Sequence, residues 1–512
     1  MNRGAVLSPL TGARHWARND PGRVAVIDGK RCFTYGELNQ RVDAAASYFF
    51  ERGVKRGSIV GMSMRNALDA MVIPLAAAAL GAQISPVNFR LRARELRAIV
   101  EQMNAQVFIF GEDLAPAIAD CGFGEPQGFV ALDSFDRAVQ KQVARPAAEG
   151  FQDASEPYTL MWTSGTRGNP KPCRGSLAAR MNWIVTLPFV YGIRESDRYL
   201  AALPLVHSAG MTFALAHLFF GACVYPVPRF DAGEAWRLLR EEALTSGLLV
   251  PTMLQMLVEE DPDRRVPVPA TLRTLITAGS RIRAELHAAI LERFPGRLYT
   301  YYGSTESPSM TVLHPRDQQA HPDSVGRPYI GVEIDVRNVR SLADYEVPVG
   351  DIFARNPFAM DEYGVEGIPV PISADGWIET CDIGFLDDEG FLHVFGRASD
   401  VIISGGLNVS LPEIERVISA HSQVRDVAVV GIEDQRWGDV PAAVVVPVQS
   451  SDGEQTIESV RRHCRSELAG YKVPRTILAV DEIPRTASGK VAAVEVKALI
   501  RERMRAADTV PQ

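Results

Sequence analysis

Tyr158-Thr159-Leu160-Met161-Trp162-Thr163-Ser164-Gly165-Thr166-Arg167-Gly168-Asn169-Pro170-Lys171 is the stretch from which the rest of the chain is read. Its largely apolar opening, Tyr158–Trp162, predicts a short buried strand. The residues that follow are rich in glycine and hydroxyls and include two cations. Glycine lets a backbone turn tightly and bring its N–H groups close to an anion, and hydroxyls and lysine add donors. The segment Thr163, Ser164, Gly165, Thr166, Arg167, Gly168 and Lys171 is therefore a candidate phosphate cradle. It is not a Walker A loop, because the Gly-Lys-Ser/Thr ending is missing and the spacing from Gly165 to Lys171 is different. Taken alone, the composition suits an ordinary surface loop equally well.

On both sides of this stretch, short β-rich runs alternate with helical periodicity. Before it, strands are predicted at Arg23–Asp28, Ser58–Met64, Ala82–Val87 and Ala105–Phe110. Helices are predicted from Thr34 to about Arg52, at Leu68–Leu80 and at Ala93–Met103. After it come strands at Tyr199–Leu205, Cys223–Val227, Leu248–Pro251, Leu272–Thr277 and Arg297–Tyr302, with helices at Met211–Phe220, Glu234–Leu244 and Ala284–Phe294. This rhythm predicts an α/β fold of mostly parallel sheets covered by helices. From Gly331 to Phe395 helices fade into short β runs, which reads as a small β-rich subdomain. A break near Gly396–Asp400 leaves a smaller α+β unit with strands at Val427–Gly431, Ala442–Val446 and Thr476–Val480. Its helices are expected at Pro412–Ala420 and Ile457–Leu468, and Arg501–Gln512 is expected to fray. The expected domains are residues 1–397 and 398–512.

With 512 residues the chain exceeds what one core accommodates. A hydrophobic content of 46%, a charged content of 23% and a net charge of −8 describe an ordinary globular protein and argue against nucleic acid as a partner. The six cysteines contain no Cys-x-x-Cys pair, which fits a reducing cytoplasm better than a disulfide or zinc framework. The apolar run Ala70–Leu80 is far short of the roughly 20 residues of a membrane span, and the N-terminus lacks a signal-peptide pattern. No Gly-x-Gly-x-x-Gly opens a strand–helix unit, so a dehydrogenase reading fails.

Four further stretches carry chemistry. In Tyr301-Tyr302-Gly303-Ser304-Thr305-Glu306, an acidic residue beside a hydroxyl and a tight glycine is a candidate holder of Mg2+. In Trp377-Ile378-Glu379-Thr380-Cys381-Asp382, an aspartate follows a strand and is placed to accept hydroxyl groups. The third runs from Gly396-Arg397 through Ser404-Gly405-Gly406-Leu407 to Glu415. The fourth, Pro484-Arg485-Thr486-Ala487-Ser488-Gly489-Lys490, presents one lysine on a glycine-supported loop.

These five motifs, in this order, resemble the adenylate-forming superfamily of acyl-CoA synthetases, peptide-synthetase adenylation domains and luciferases. The likeness runs from about Thr34 to Lys490, and Gly405-Gly406 is similar to the acyl- and aryl-CoA ligase branch. The resemblance implies two half-reactions in one site. A carboxylate attacks the α-phosphate of Mg·ATP to give acyl-adenylate, and coenzyme A then displaces AMP to give a thioester. It implies that Thr163–Lys171 is the phosphate loop, Thr305 faces substrate, Glu306 holds Mg2+ and Tyr302, followed by Gly303, lies near adenine. It further implies that Asp382 and Arg397 hold ribose, and that Lys490 bridges carboxylate and phosphate. Gly405 and Gly406 flank the thiol tunnel, and Ser399 is the hinge of the small domain. His207 matches a position lining the acyl pocket and thiol path, where a packed wall residue is the plainer role. Ala278, Gly279 and Ser280 line the acyl site, and a largely hydrophobic acid is expected. Lys472 is a candidate for the coenzyme A phosphate, on no better ground than any solvated surface charge.

Four departures from the family pattern cluster near the phosphates and hinge: Arg167 for threonine, Pro172 for glycine, Cys381 for glycine, and Ser399 for aspartate or lysine. Arg167 either adds a cation to the triphosphate or fills its space. Two enzyme readings therefore stay open. One is a complete ATP-dependent acyl-CoA ligase. The other performs only thioester formation on an acyl-AMP made by a partner enzyme. An enzyme loading a carrier protein, a luciferase-like oxygenase and a silent binding protein are more distant; retained Lys490 and Glu306 speak against the last.

Overall fold

The computed structural model describes residues 6–91, 93–125, 128–143, 150–163, 171–261, 263, 265–340, 347–363, 372–373, 375–397, 401–404, 407–434, 438–448, 453–468, 470–485 and 491–508. By density of contacts the chain divides into two compact units. One comprises Met1–Ile334, Ala354–Ile378 and Asp388–Leu392; the other comprises Asp335–Phe353, Glu379–Asp387 and His393–Gln512.

The first unit is built on two large sheets, as the strand–helix rhythm predicts. In the nine-stranded sheet, Leu298–Tyr302, Thr274–Thr277, Ser246–Leu249, Arg198–Ala201, Cys223–Pro226 and Val24–Asp28 lie side by side in that order. All five pairings among them are parallel. The seven-stranded sheet carries a parallel set made of Phe129–Ala131, Val107–Phe110, Ile59–Ser63, Gln83–Pro86 and Pro157–Thr163. Lys171–Ser176 and Glu362–Tyr363 then add antiparallel strands at one edge. Crossover helices bury their apolar faces between and over these sheets. The helix Asp69–Ala79 is buried at every position, which is why its sequence shows no polar face. Its first residue, Asp69, is gripped by Arg41 through two bonds of 2.8 Å, and the same guanidinium reaches Asp136.

Helix starts follow the local chemistry. Thr34 caps Tyr35–Glu51 by accepting from the Glu37 amide while Glu37 accepts from the Thr34 amide in return, a reciprocal box worth about 1 kcal/mol. Pro251 does not end a strand. It opens the helix Pro251–Glu260, where a missing N–H costs nothing, and the preceding strand is Ser246–Leu249. The strand expected over Tyr199–Leu205 stops at Ala201, because Asn66 draws the next residues out of the ladder. Helices Pro9–Asn19 and Leu177–Tyr191 add to the predicted set.

The second unit contains most of the four-stranded sheet of Glu333–Arg340, Val349–Arg355, Ile378–Leu386 and Leu392–Arg397. It also contains a sheet in which Val424–Asp434 and Gly438–Pro447 pair over their whole length, with Thr476–Ala479 added in parallel. The helices Leu411–Ser419 and Gly453–Glu467 lie close to the predicted bounds. Of the stretch Arg501–Gln512 expected to fray, Arg501–Asp508 continues the helix Ala493–Asp508, which is anchored by Val496 and Ile500, both fully buried against the sheet, and 509–512 lie outside the described residues.

One buried histidine gives the fold a pH dependence. His217 stacks on Tyr199 at 4.0 Å, its Nδ1 lies 2.7 Å from the Phe213 carbonyl, and burial pushes its pKa down to about 4. An unfolded chain protonates this residue near 6.5, so the unfolded state takes up the proton first and stability falls as pH drops below that value. Between pH 7 and pH 5 this one group should remove about 2 kcal/mol. Urea unfolding of wild type and His217→Gln at the two pH values checks it: the variant should lose that part of the slope, and an unchanged slope would discount the residue.

Candidate functional site

In the first unit the predicted residues gather at the carboxyl ends of parallel strands, where open α/β sheets place their ligands. Arg198–Ala201 leads into the turn ending at His207, Thr274–Thr277 into Ala278-Gly279-Ser280, and Leu298–Tyr302 into Gly303 and Glu306. Asn66, which is 3% exposed, fixes the first of these loops. Its amide donates to the carbonyls of Ala201 at 2.9 Å and Leu203 at 2.8 Å, and its oxygen accepts from the Leu205 amide at 2.7 Å. His207 occupies the extended position before the helix Ser208–Phe219, and its carbonyl accepts the Met211 amide at 3.0 Å. Gly279 has φ +96°, so this turn suits a residue without a side chain.

The Thr305–Glu306 loop is locked from several directions. The Met310 amide bonds the Tyr302 carbonyl at 2.8 Å, the Ser304 amide bonds the Ser307 carbonyl at 2.9 Å, and the Ser307 amide bonds Ser304 Oγ at 3.0 Å. Asn356 holds the far side, donating to Ser307 Oγ at 3.0 Å and to the Pro308 carbonyl at 2.6 Å. The Met360 amide donates to the Glu306 carbonyl at 2.9 Å and the Asp361 amide to the Arg174 carbonyl at 2.9 Å, so residues 356–362 tie this loop to the strand Lys171–Ser176. Among the described residues, nothing forms an ion pair with the Glu306 carboxylate.

The glycine-rich segment runs between two adjacent antiparallel strands, Pro157–Thr163 and Lys171–Ser176, with Thr163 opposite Lys171. Ser164 to Pro170, including Gly165, Thr166, Arg167 and Gly168, lie outside the described residues. Pro172 sits inside the second strand, buried and opposite Trp162, where its fixed φ suits extended backbone. A small cavity touches both this strand pair and the Thr305 loop; Thr159, Met161, Cys173, Ser176, Thr305 and Met360 line it.

In the second unit, Asp382 and Arg397 form an ion pair at 3.0 Å, and Arg397 also donates to the Thr380 carbonyl at 3.0 Å. Thr380 Oγ1 accepts from the Asp382 amide at 3.1 Å, which fixes the aspartate from the backbone side. Between them, Cys381 adopts φ +60°, the left-handed region that favours glycine. The backbone has thus kept the glycine conformation while the side chain departs from the family pattern. Cys381→Gly should raise stability by about 1 kcal/mol by removing this strain. The denaturant midpoint measures it, and an unchanged midpoint would mean that the cysteine's own contacts offset the strain. Lys472 is not a solvated surface charge: it is 6% exposed and its ammonium lies 3.1 Å from Glu413. Gly405 and Gly406, between the antiparallel strands Val401–Ser404 and Leu407–Ser410, lie outside the described residues, as do Ser399 and Lys490.

Sequence reasoning passed over Asn66 and Asn356, whose roles are backbone contacts across long separations that no local pattern marks. It also passed over Arg180, the only charged residue in Leu177–Tyr191. A lone cation in an apolar helix was the available signal. No group of three or more metal-ligating side chains occurs among the described residues. A single open carboxylate at Glu306 fits Mg2+ arriving on phosphate oxygens rather than a cation held in a protein cage.

Comparisons with known proteins agree with this arrangement. The AMP-binding enzyme family model matches residues 13–364, and that of the AMP-binding enzyme C-terminal domain matches residues 413–490. A 2-succinylbenzoate–CoA ligase of Geobacillus kaustophilus is 33% identical over 486 residues, covering 94% of this chain and 96% of that protein. A long-chain-fatty-acid–CoA ligase of Mycobacterium tuberculosis is 32% identical over 499 residues, covering 94% of each. The o-succinylbenzoate CoA synthetase of Bacillus subtilis, solved with the acyl-adenylate intermediate OSB-AMP, superposes with a TM-score of 0.84 at 26% identity, covering 95% of this chain and 97% of that one. The chain belongs to the AMP-binding, adenylate-forming enzymes, and is an acid–thiol ligase of their acyl-CoA synthetase branch.

Proposed function

We propose that the enzyme converts a largely apolar carboxylic acid to its coenzyme A thioester by both half-reactions, using Mg·ATP directly. The observation that carries this reading is the Thr305–Glu306 loop, held by Asn356 and Met360 and tied to the strand Lys171–Ser176 next to the glycine-rich segment. This arrangement supports an acid held at Thr305 beside the residues that would take the phosphates. Relatives named for aromatic and long-chain acids support an apolar acyl group.

In this reading Thr305 orients the acid, and backbone donors of residues 163–171 with Lys171 hold the triphosphate. Glu306 holds Mg2+, which when bound supplies charge neutralisation at phosphate oxygens. Asp382 accepts ribose hydroxyls while Arg397 keeps its carboxylate aligned. Lys490 stabilises the charge that develops between carboxylate and α-phosphate. Gly405 and Gly406 leave room for the pantetheine arm, His207 forms a wall of the thiol path, and Ser399 serves as the hinge between half-reactions. The division of labour at 397/398 and a cytoplasmic setting belong to the same proposal. Lys472 braces the helix Leu411–Ser419 through Glu413 rather than displaying its charge.

A paired assay with a panel of acids tests the reading. One arm supplies acid, Mg·ATP and coenzyme A and follows pyrophosphate and thioester. The other supplies synthetic acyl-adenylates and coenzyme A. Thioester in both arms is expected. Thioester from adenylates alone would overturn direct ATP use and point to a partner enzyme that makes the adenylate.

A further inference from the structure

Arg180 stands out in the first unit as a buried cation that, among the described residues, no carboxylate accompanies. It is 7% exposed and packs over Trp183 at 5.3 Å. Its partners among the described residues are hydroxyls: Ser208 Oγ at 3.2 Å, Thr212 Oγ1, and Thr159 Oγ1 at a long 3.4 Å. Its Nε–H has no partner among them. Burial pushes its pKa down to about 10, so the group stays charged at neutral pH. A guanidinium offers five N–H donors. Ser208 and Thr212 occupy both on Nη1, and Thr159 weakly occupies one on Nη2. What remains is Nε–H and one N–H of Nη2.

A charge buried among neutral dipoles is unfavourable unless a counter-charge completes its surroundings. The space beside Arg180 limits what that counter-charge can be. Arg180, Thr159, Ser176 and Thr305 line a cavity of about 10 Å3, room for one species the size of a water and for no organic acid or phosphate. Its polar lining is rich in donors: the guanidinium and the hydroxyls of Ser176 and Thr305. Ser176 Oγ already accepts from the Ala179 amide at 3.2 Å, which leaves its O–H to donate. Among the described residues no acidic side chain lines the cavity. Asp361 accepts the Ser176 amide at 2.5 Å, but it neither lines the cavity nor pairs with Arg180. A water there would satisfy N–H groups and leave the charge uncompensated.

We propose that Arg180, with the hydroxyls of Ser176 and Thr305, forms a binding site for one small monovalent anion of the size of chloride. The ion compensates the buried guanidinium and completes the coordination that Ser208, Thr212 and Thr159 begin. Carboxylates, phosphate and sulfate are excluded by size, and fluoride by the strength of its hydration; bromide is near enough to chloride to take its place. The site goes beyond the ligase reading and does not depend on which acid is converted.

The test follows the melting temperature at constant ionic strength while sodium gluconate is replaced by sodium chloride, bromide or fluoride. It uses the full-length wild type, Arg180→Met and Arg180→Lys, with no acid, nucleotide or coenzyme A present. Between roughly 1 and 100 mM, chloride and bromide should raise the melting temperature of the wild type by about 3 °C, and fluoride should not. Arg180→Met should show no such halide response, and in gluconate it should melt no lower than wild type, because it removes a buried lone charge. Arg180→Lys keeps the charge and should keep part of the response. In wild-type crystals grown in gluconate and soaked in bromide, the anomalous signal should lie beside Arg180. Equal halide responses in wild type and Arg180→Met, or none in wild type, would overturn the proposal and assign the cavity to a water. Bromide found beside Arg180 at crystal concentration only, with no response in solution, would overturn it equally. Should Arg180→Met not fold, Arg180→Gln replaces it and is read in the same terms. None of these readouts uses turnover, so either result leaves the ligase reading as it stands.

Discussion

Lys490→Ala is expected to lower ATP-dependent adenylation by about 1,000-fold while leaving thioester formation from a supplied acyl-adenylate within a few-fold of wild type. The expectation follows from where charge develops. In the first half-reaction an anionic carboxylate approaches an anionic phosphate, and a cation between them stabilises the transition state far more than either ground state. In the second, a thiol attacks an adenylate that has lost the other two phosphates, and that repulsion is gone. Lys490 closes the segment matched by the C-terminal family model, directly after Ser488-Gly489 in the sequence. Pyrophosphate release from acid and ATP measures the first step, and thioester release from synthetic adenylate the second. Equal loss in both would contradict the assignment of this lysine to one half-reaction.

Gly303→Ala should cost about 100-fold in kcat/KM with a smaller loss of stability. A Cβ at residue 303 would stand 2.5 Å from the Ser309 amide nitrogen and 3.1 Å from the Ser307 carbonyl oxygen. Both obstacles are backbone, so the loop must open to admit the methyl group. It can do so only by breaking bonds that fix Thr305 and Glu306, chief among them Met310 to Tyr302 and Asn356 to Pro308. Small displacements of catalytic groups have disproportionate kinetic effects. Steady-state kinetics together with a denaturation midpoint separate the two contributions. Full activity with a normal midpoint would show that the loop tolerates the displacement.

Elements with their own periodicity were legible from sequence. Ala93–Met103 is found at the bounds its amphipathic spacing predicts, and Thr34 caps its helix as its sequence indicates. The helices Leu177–Tyr191 and Pro9–Asn19 were not legible: the first carries apolar residues almost all round and so shows no face in its sequence, and the second depends on packing against distant residues. Candidate site residues could be named from sequence where residue type carries the chemistry, as at Thr305, Glu306, Asp382 and Arg397. It was unreadable where the role lies in three-dimensional company. Nothing local marks Asn66 as the clamp of the loop before His207, or Asn356 as the brace of the Thr305 loop. Lys472 shows the opposite failure, a lysine that reads as surface and is buried against Glu413. Cys381 reads as a loss, yet its backbone retains the conformation that a glycine would have supplied.

The parallel pairing of Val24–Asp28 with Cys223–Pro226 sets a schedule for the ribosome. Val26 meets Val224, and the anchors around it span the same interval: Trp16 to the Phe219 carbonyl, Arg23 to Gly221, and Tyr35 to Leu218 and Ala222. At about 5–20 residues per second, the nascent N-terminus waits some 10–40 s for its partner strand to be made. Through that interval its apolar strand stands exposed to other chains. Slow elongation or a crowded polysome therefore bears most heavily on this end of the molecule.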